Sequence, residues 1–320
     1  MYPGNNAKGW NFPPLPLLRD TEVIGELTDQ STITADITRE ALRFIRQNKS
    51  QPFFLYLPHV MVHVPLQAGE PFKDQSANGI LGDAIEELDE SVGQIMATLQ
   101  QLDLDDNTLV IFMSDNGPAR GIATPLRGRK GSTYEGGVRV PTIVHWPGRI
   151  PAGSSSDEIT STMDLLPTLA RLANSKAPTD RILDGHDIWP ILSAAPNART
   201  QHDAFYYYRK EELEAVRSGP WKLHLKADNG QPALYNLSAD ISETTNLINQ
   251  HPNVATRLET LLDQARTDIG DGVTHPGANV RPVGYWHNPR ALLARPDGKP
   301  LNRGTYKYIP EKWTERKRVN

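Results

Sequence analysis

The chain has 320 residues, enough for about two domains and for a core that needs no cross-links. It contains no cysteine, which excludes disulfides, thiolate metal sites and cysteine nucleophiles. A net charge of −4 argues against a nucleic-acid footprint or a polybasic membrane patch, and no apolar run approaches the ~20 residues a membrane span needs.

The opening stretch "MYPGNNAKGWNFPPLPLL" is rich in Pro, Gly and Asn and lacks the basic start and continuous apolar core of a signal peptide. It reads as loop, an unusual way for a compact domain to begin, so the chain is expected to start in the middle of a fold. A helix is predicted over residues 31–50, with Ile37, Ala41, Phe44 and Ile45 on one face and a Ser/Thr-rich start to cap it. "PFFLYLP" (52–58) is a continuous apolar run bounded by prolines, which suits a strand covered on both faces. Ile85, Leu88, Val92, Ile95, Leu99 and Leu102 recur at spacings of three and four and mark the clearest helix. "TLVIFM" (108–113) and "PTIVHWPG" (141–148) supply two more strands, and "STMDLLPTLARLAN" another amphipathic helix with Pro167 in its first turns.

Strands alternating with helices predict an α/β core, a mostly parallel sheet sandwiched by helices, over residues 1–200. Residues 201–320 form a second region. Short alternating runs from "DAFYYYRKEE" to "ALYNL", parted by Gly-Pro and Asp-Asn-Gly turns, predict an antiparallel meander. A helix follows over residues 254–269, with Leu258, Leu261, Leu262 and Ala265 on one side, and then a Pro-rich, basic, irregular tail.

Three places carry candidate chemistry. Asp115 and Asn116 follow the strand "TLVIFM", and ligands of parallel sheets sit beyond the carboxyl ends of strands. Their oxygens suit Ca²⁺ or Mg²⁺, although Asp-Asn-Gly-Pro is first of all ordinary turn chemistry. His63 in "HVMVHVP" also lies past a strand end and could act as a proton donor or an oxyanion ligand. The His59/His63 spacing suits a zinc pair only on a helix, which the flanking valines and prolines oppose. Lys130 lies in "PLRGRKGSTYEGGVRVP", a Gly-rich basic loop of the kind that approaches anions, and equally a plain solvated loop. The acidic cluster Asp103, Asp105 and Asp106 precedes the same strand, whose six extended residues at ~3.3 Å each set it about 20 Å from Asp115–Asn116, and it reads as a solvated turn. The aromatic run from Tyr206 suits either a strand end or a sugar-stacking rim.

Taken together, "PFFLYLPHVMVHVP", "LDESVGQIMATL", "TLVIFMSDNGP", "LRGRKGSTYEGGVRVP", "WPGRIPAG", "STMDLLPTLARLA", "LDGHDIWPIL" and "GPWKLHL…LYNLSADISETTNL" resemble, in order, the sulfatase family of the alkaline-phosphatase-like superfamily. The likeness is to the arylsulfatase A and N-acetylgalactosamine-6-sulfatase type. It implies a sulfuric ester hydrolase acting on aryl or sugar sulfates. Asp115 and Asn116 would be Ca²⁺ ligands, and Lys130 would neutralise sulfate charge. His63 would contact sulfate or protonate the leaving alcohol. A periplasmic or secreted location is the corresponding expectation.

The family's nucleophile is a formylglycine made from Cys or Ser in a Cys/Ser-x-Pro/Ala-x-Arg motif, and no such motif occurs in this sequence. The nearest stretches, at Ser50 and Ser218, lack the arginine. The chain therefore resembles a sulfatase without its N-terminal third, with an incomplete calcium site and little expected turnover. Two other readings compete. One is a non-catalytic relative that binds sulfated glycan or a partner through Arg127, Arg129 and Lys130. The other is a phosphate-ester hydrolase, for which clustered two-metal ligands are not evident.

Overall fold

The computed structural model describes residues 4–5, 11–12, 15–20, 22–27, 29–272 and 281. They fall into two compact units, one within residues 4–105 and the other within residues 106–281.

In the first unit, β1 (Gly4–Asn5) pairs antiparallel with β2 (Asn11–Phe12), and β3 (Leu15–Arg19) with β4 (Glu22–Leu27). The opening stretch expected as loop thus contains strand pairs. Asp20, at φ 54°, allows the tight reversal between β3 and β4, since a short polar side chain tolerates the left-handed region. Helix α1 (Ile33–Asn48) forms as predicted, with Ala41 and Ile45 buried. Residues 52–58 form no strand, and Phe54 and Tyr56 are 72% and 76% exposed, so the expected two-sided cover is not seen.

Helix α2 (Gly79–Gln101) also forms, with the predicted Leu99 buried, but polar Asp83, Glu87, Ser91 and Thr98 are buried as well while Ile85 is half exposed. The reason is local. Asp83 accepts backbone N–H bonds from Asp74, Gln75 and Ser76, Glu87 accepts one from Gly69, and Ser91 bonds Thr38 of α1. Those partners offset the burial of polar groups.

In the second unit, β5 (Val110–Met113) pairs antiparallel with β6 (Thr142–His145). Every strand pairing among the described residues is antiparallel, so the expected parallel pairing is not seen there. Parallel neighbours need a crossover, usually a full helix. The β5–β6 connection is long, residues 114–141, but holds only the single helical turn α3 (Glu135–Val138), and it returns the chain antiparallel to β5. Helices α4 (Leu165–Leu172) and α5 (Trp189–Leu192) follow.

The predicted meander is β7 (Phe205–Arg209), β8 (Glu212–Ser218), β9 (Trp221–His224) and β10 (Ala233–Asn236), in spatial order β10-β9-β8-β7. Its apolar face carries Leu213, Val216, Leu223 and Leu234, which pack on Leu258, Leu262 and Ala265 of α6 (Pro252–Asp268). Alternation along β9 sends Lys222 and His224 to the opposite face. Apart from Asp271, Gly272 and Arg281, the tail predicted as irregular lies outside the described residues.

Candidate functional site

All the residues of the loop between β5 and β6 belong to the second unit. Strand β5 delivers the chain into the Asp115–Asn116 turn, where Ser114 Oγ donates to the Asn116 carbonyl at 3.1 Å. The Asn116 side-chain nitrogen donates to the Gly117 carbonyl at 3.1 Å, which leaves its amide oxygen free to meet a cation. Asp115 is exposed and its carboxylate takes no hydrogen bond or ion pair among the described residues. Gly117 is there for room. A Cβ on it would lie 1.9 Å from the Gly136 carbonyl oxygen, and its N–H donates to Gly137 at 3.0 Å.

The Lys130 loop lies against the same turn. The Lys130 N–H donates to the Pro118 carbonyl at 3.1 Å, and the Gly136 N–H donates to the Arg127 carbonyl at 2.7 Å. Gly128 and Gly131 flank the basic pair Arg129–Lys130 at φ +81° and +89°, conformations that favour glycine. The Lys130 side chain is exposed and meets no acidic partner among the described residues. Asp115, Asn116 and Lys130 therefore share one glycine-packed loop cluster.

Arg127 does not join them as a free cation. It pairs with Asp228, donates to Tyr235 Oη at 3.2 Å and to the Glu243 carbonyl at 2.6 Å, and lies 4.2 Å from the Tyr134 ring centroid. Burial, with the hydrogen bond to Asp228, pushes the Tyr134 hydroxyl up to about 12.

His63 belongs to the first unit. It is exposed, in a turn, and its Nδ1 lies 2.6 Å from the Val64 carbonyl. That bond fixes the Nδ1–H tautomer and leaves Nε2 as the free nitrogen. His59 is half-buried with Nε2 3.4 Å from Ser91 Oγ, and burial holds its pKa below the ordinary value. No group of three or more His, Cys, Asp or Glu side chains suited to a metal occurs among the described residues, so a zinc pair finds no third ligand. Asp115 and Asn116 have the hard oxygens calcium prefers, but they are two where it takes 6–8.

Sequence reasoning missed a buried ionic network beneath the loops. Lys222, fully buried, reaches Glu135 Oε1 at 2.9 Å and Glu243 Oε1 at 3.0 Å. His224 Nε2 lies 3.1 Å from Glu243 Oε1, and Glu243 Oε2 accepts the Glu135 N–H at 2.7 Å. Burial alone would raise the Glu243 carboxyl, but the His224 hydrogen bond and the Lys222 charge outweigh it and hold it low. Burial also pushes His224 down. The available signal was the alternation in "WKLH", which sets a lysine and a histidine on one face of a strand whose other face is core. The tyrosine run of β7 is not a rim: Tyr206 and Tyr208 pack against the α6 core and Tyr207 is buried.

Two family models match the chain, "Sulfatase" over residues 2–175 and "N-sulphoglucosamine sulphohydrolase, C-terminal" over residues 129–268. The chain belongs to the sulfatase family. It is 40% identical over 219 residues to the steryl-sulfatase of Rattus norvegicus, covering 65% of this chain and 37% of that protein. It is 39% identical over 231 residues to the N-acetylgalactosamine-6-sulfatase of Canis lupus familiaris, covering 66% and 44%. Among solved structures, Ps i-CgsB in complex with k-i-k-neocarrahexaose aligns with a TM-score of 0.70 and 30% identity, over 82% of this chain and 60% of that one. The PsFucS1 sulfatase from Pseudoalteromonas sp. aligns with a TM-score of 0.70 and 27% identity, over 80% and 56%. The chain thus spans 37% and 44% of the length of these two curated relatives. No helix among its described residues is long and apolar enough to cross a membrane.

Proposed function

We propose that the loop cluster of Asp115, Asn116 and Lys130 is the sulfate-binding side of a calcium-dependent sulfate-ester site, and that the protein's family activity is hydrolysis of aryl or sugar sulfate esters. One observation carries the reading. The Lys130 backbone is hydrogen-bonded to the segment that leaves the Asp115–Asn116 turn, so an unpaired ammonium and unpaired oxygen donors stand on one close-packed frame.

The chemistry follows from charge. Sulfate-ester cleavage builds negative charge on the leaving oxygen while the sulfate oxygens stay anionic. Lys130 binds and orients those oxygens. Calcium, when held by Asp115, Asn116 and further oxygen donors, would supply Lewis-acid polarisation of the sulfate. The resemblance gives His63 the proton for the leaving alcohol; with Nδ1–H donated to the Val64 carbonyl, that proton would be carried on Nε2 of the imidazolium form. Hydrolysis through the family's nucleophile requires a formylglycine, and this sequence has no residue in the motif that makes one. A polypeptide of this sequence alone is therefore proposed to bind sulfate esters and to turn them over little or not at all.

Calorimetric titration with phenyl sulfate in the presence of Ca²⁺ tests the site. Lys130→Ala and Asp115→Ala are each expected to weaken binding about tenfold or more, the range for losing a charged hydrogen-bond partner. Arg127→Lys, which touches a residue already committed to Asp228 and Tyr235, is expected to leave it within about threefold. Equal affinity in wild type and Lys130→Ala would refute the assignment.

A further inference from the structure

The buried network has no place in the chemistry above, and it is costly. Two carboxylates and a lysine out of water are no more stabilising than an apolar cluster of the same shape. What such a network gives is direction, and its direction leads to the loop cluster.

Lys222 projects from β9 on the face away from α6, with its ammonium 4.5 Å from the Tyr207 ring centroid. Its 2.9 Å contact with Glu135 fixes the first residue of α3. Glu243 holds the same residue from its backbone side. The next two residues, Gly136 and Gly137, have no side chains and lie directly against the functional loops. Gly136 donates to Arg127, and Gly137 accepts from Gly117. A Cβ on Gly136 would meet the Arg127 and Gly128 carbonyls at 2.5 and 2.7 Å, and one on Gly137 the Ser132 and Arg129 carbonyls at 2.1 and 2.7 Å. Any shift of α3 is therefore passed to both loops, because close-packed backbone has no slack. Two further ties run from the loop to the same sheet. Thr133 Oγ1 donates to Glu214 at 2.7 Å, and Tyr134 stacks on His224 with centroids 4.4 Å apart.

We infer that Lys222 and Glu135 are positioning residues: their buried ion pair sets, through the α3 turn, the placement of Asp115, Asn116 and Lys130. The inference rests on the proposed sulfate-ester reading for its functional consequence and on geometry for its structural one. The C-terminal sheet is then part of the site's framework as well as a packing partner for α6.

The test uses Lys222→Met, which removes the charge with little change in volume, and Glu135→Gln, which keeps a hydrogen-bond acceptor. Three readouts are taken on the full chain: thermal unfolding, phenyl sulfate affinity with Ca²⁺, and amide hydrogen exchange. In folded Lys222→Met, phenyl sulfate is expected to bind at least about tenfold more weakly, as for small misplacements of binding groups. The Gly117 and Lys130 amides should exchange at least about tenfold faster, while Val216 and Leu223 keep wild-type protection. Glu135→Gln should fall between the two. A purely structural network would speed all of these amides together, or none, and would leave affinity unchanged in the folded protein. That result overturns the inference. If Lys222→Met does not fold, Glu135→Gln decides by the same criteria. If wild type itself fails to bind phenyl sulfate, the sulfate-ester reading fails, and the exchange pattern alone decides the positioning claim.

Discussion

Gly117→Ala is the sharpest perturbation the fold offers. The new Cβ would stand 1.9 Å from the Gly136 carbonyl oxygen, about 1.5 Å short of ordinary contact at 3.4 Å. The obstacle is backbone, and Gly136 is itself held by the Arg127 carbonyl. Neither side can yield by rotating a side chain. Overpacking of a close-packed site costs ~1–3 kcal/mol, and the rigid neighbour puts this case toward the upper end. For a cooperative unit of this size each kcal/mol is worth ~2–4 °C, so the melting temperature should fall by about 4–12 °C. Gly93→Ala is the matched control. Gly93 lies inside α2 with nothing within 4 Å of its Cβ position, so the same chemical change should stabilise by ~1 kcal/mol through helix propensity. The two variants should shift in opposite directions, each read on the transition of its own unit by calorimetry or circular dichroism. A Gly117→Ala protein that melts within about 1 °C of wild type would refute the close packing of the site loops.

Other predictions follow from buried charge. His202 Nε2 lies 2.9 Å from the fully buried Asp164, which also accepts the Ser161 and His186 N–H groups. His202→Ala should cost about 3 kcal/mol by stranding that carboxylate, as denaturant unfolding would measure, and a loss under about 0.5 kcal/mol would contradict it. His224 and His59 are both held below the ordinary 6.5 by burial, so the unfolded chain binds more protons than the folded one as pH drops through that value. Stability should therefore fall as pH is lowered from 7.5 toward 5.5. It should fall again below the ordinary carboxylate values of 4.5 and 3.8, as Glu243 and Asp164, both held low, take up protons. Melting curves across that range check both steps, and His224→Gln should flatten the first.

The elements that periodicity could reach were legible. The spacing of Leu258, Leu262 and Ala265 gave α6, and the turns at Gly219 and Asn229–Gly230 gave the meander. Sheet partnership was not legible, because alternating strands and helices do not say which strand lies beside which. The burial of polar groups in α2 was not legible for a different reason. Asp83 and Glu87 look solvent-facing in sequence, and only the chain around Gly69 and Asp74–Ser76 supplies the donors that let them go inside. At the site, Asp115, Asn116 and Lys130 stood out as residue types. What brings them together is the contact of Gly117 with Gly136 and Gly137, which a sequence shows only as glycines. Arg127 and Lys222 make the complementary point. Two cations equal in the sequence to any others are committed to acids distant along the chain, Arg127 to Asp228 and Lys222 to Glu135 and Glu243.

Whether the loop cluster is a sulfate-ester site is tested most directly by equilibrium dialysis of 4-nitrophenyl sulfate against the 320-residue chain, with product release followed in the same samples. The result expected is saturable binding that requires Ca²⁺, is displaced by inorganic sulfate, and yields little or no 4-nitrophenol. Absence of saturable binding would contradict the site, and steady calcium-dependent release of 4-nitrophenol would contradict the assignment of this sequence as binding without turnover.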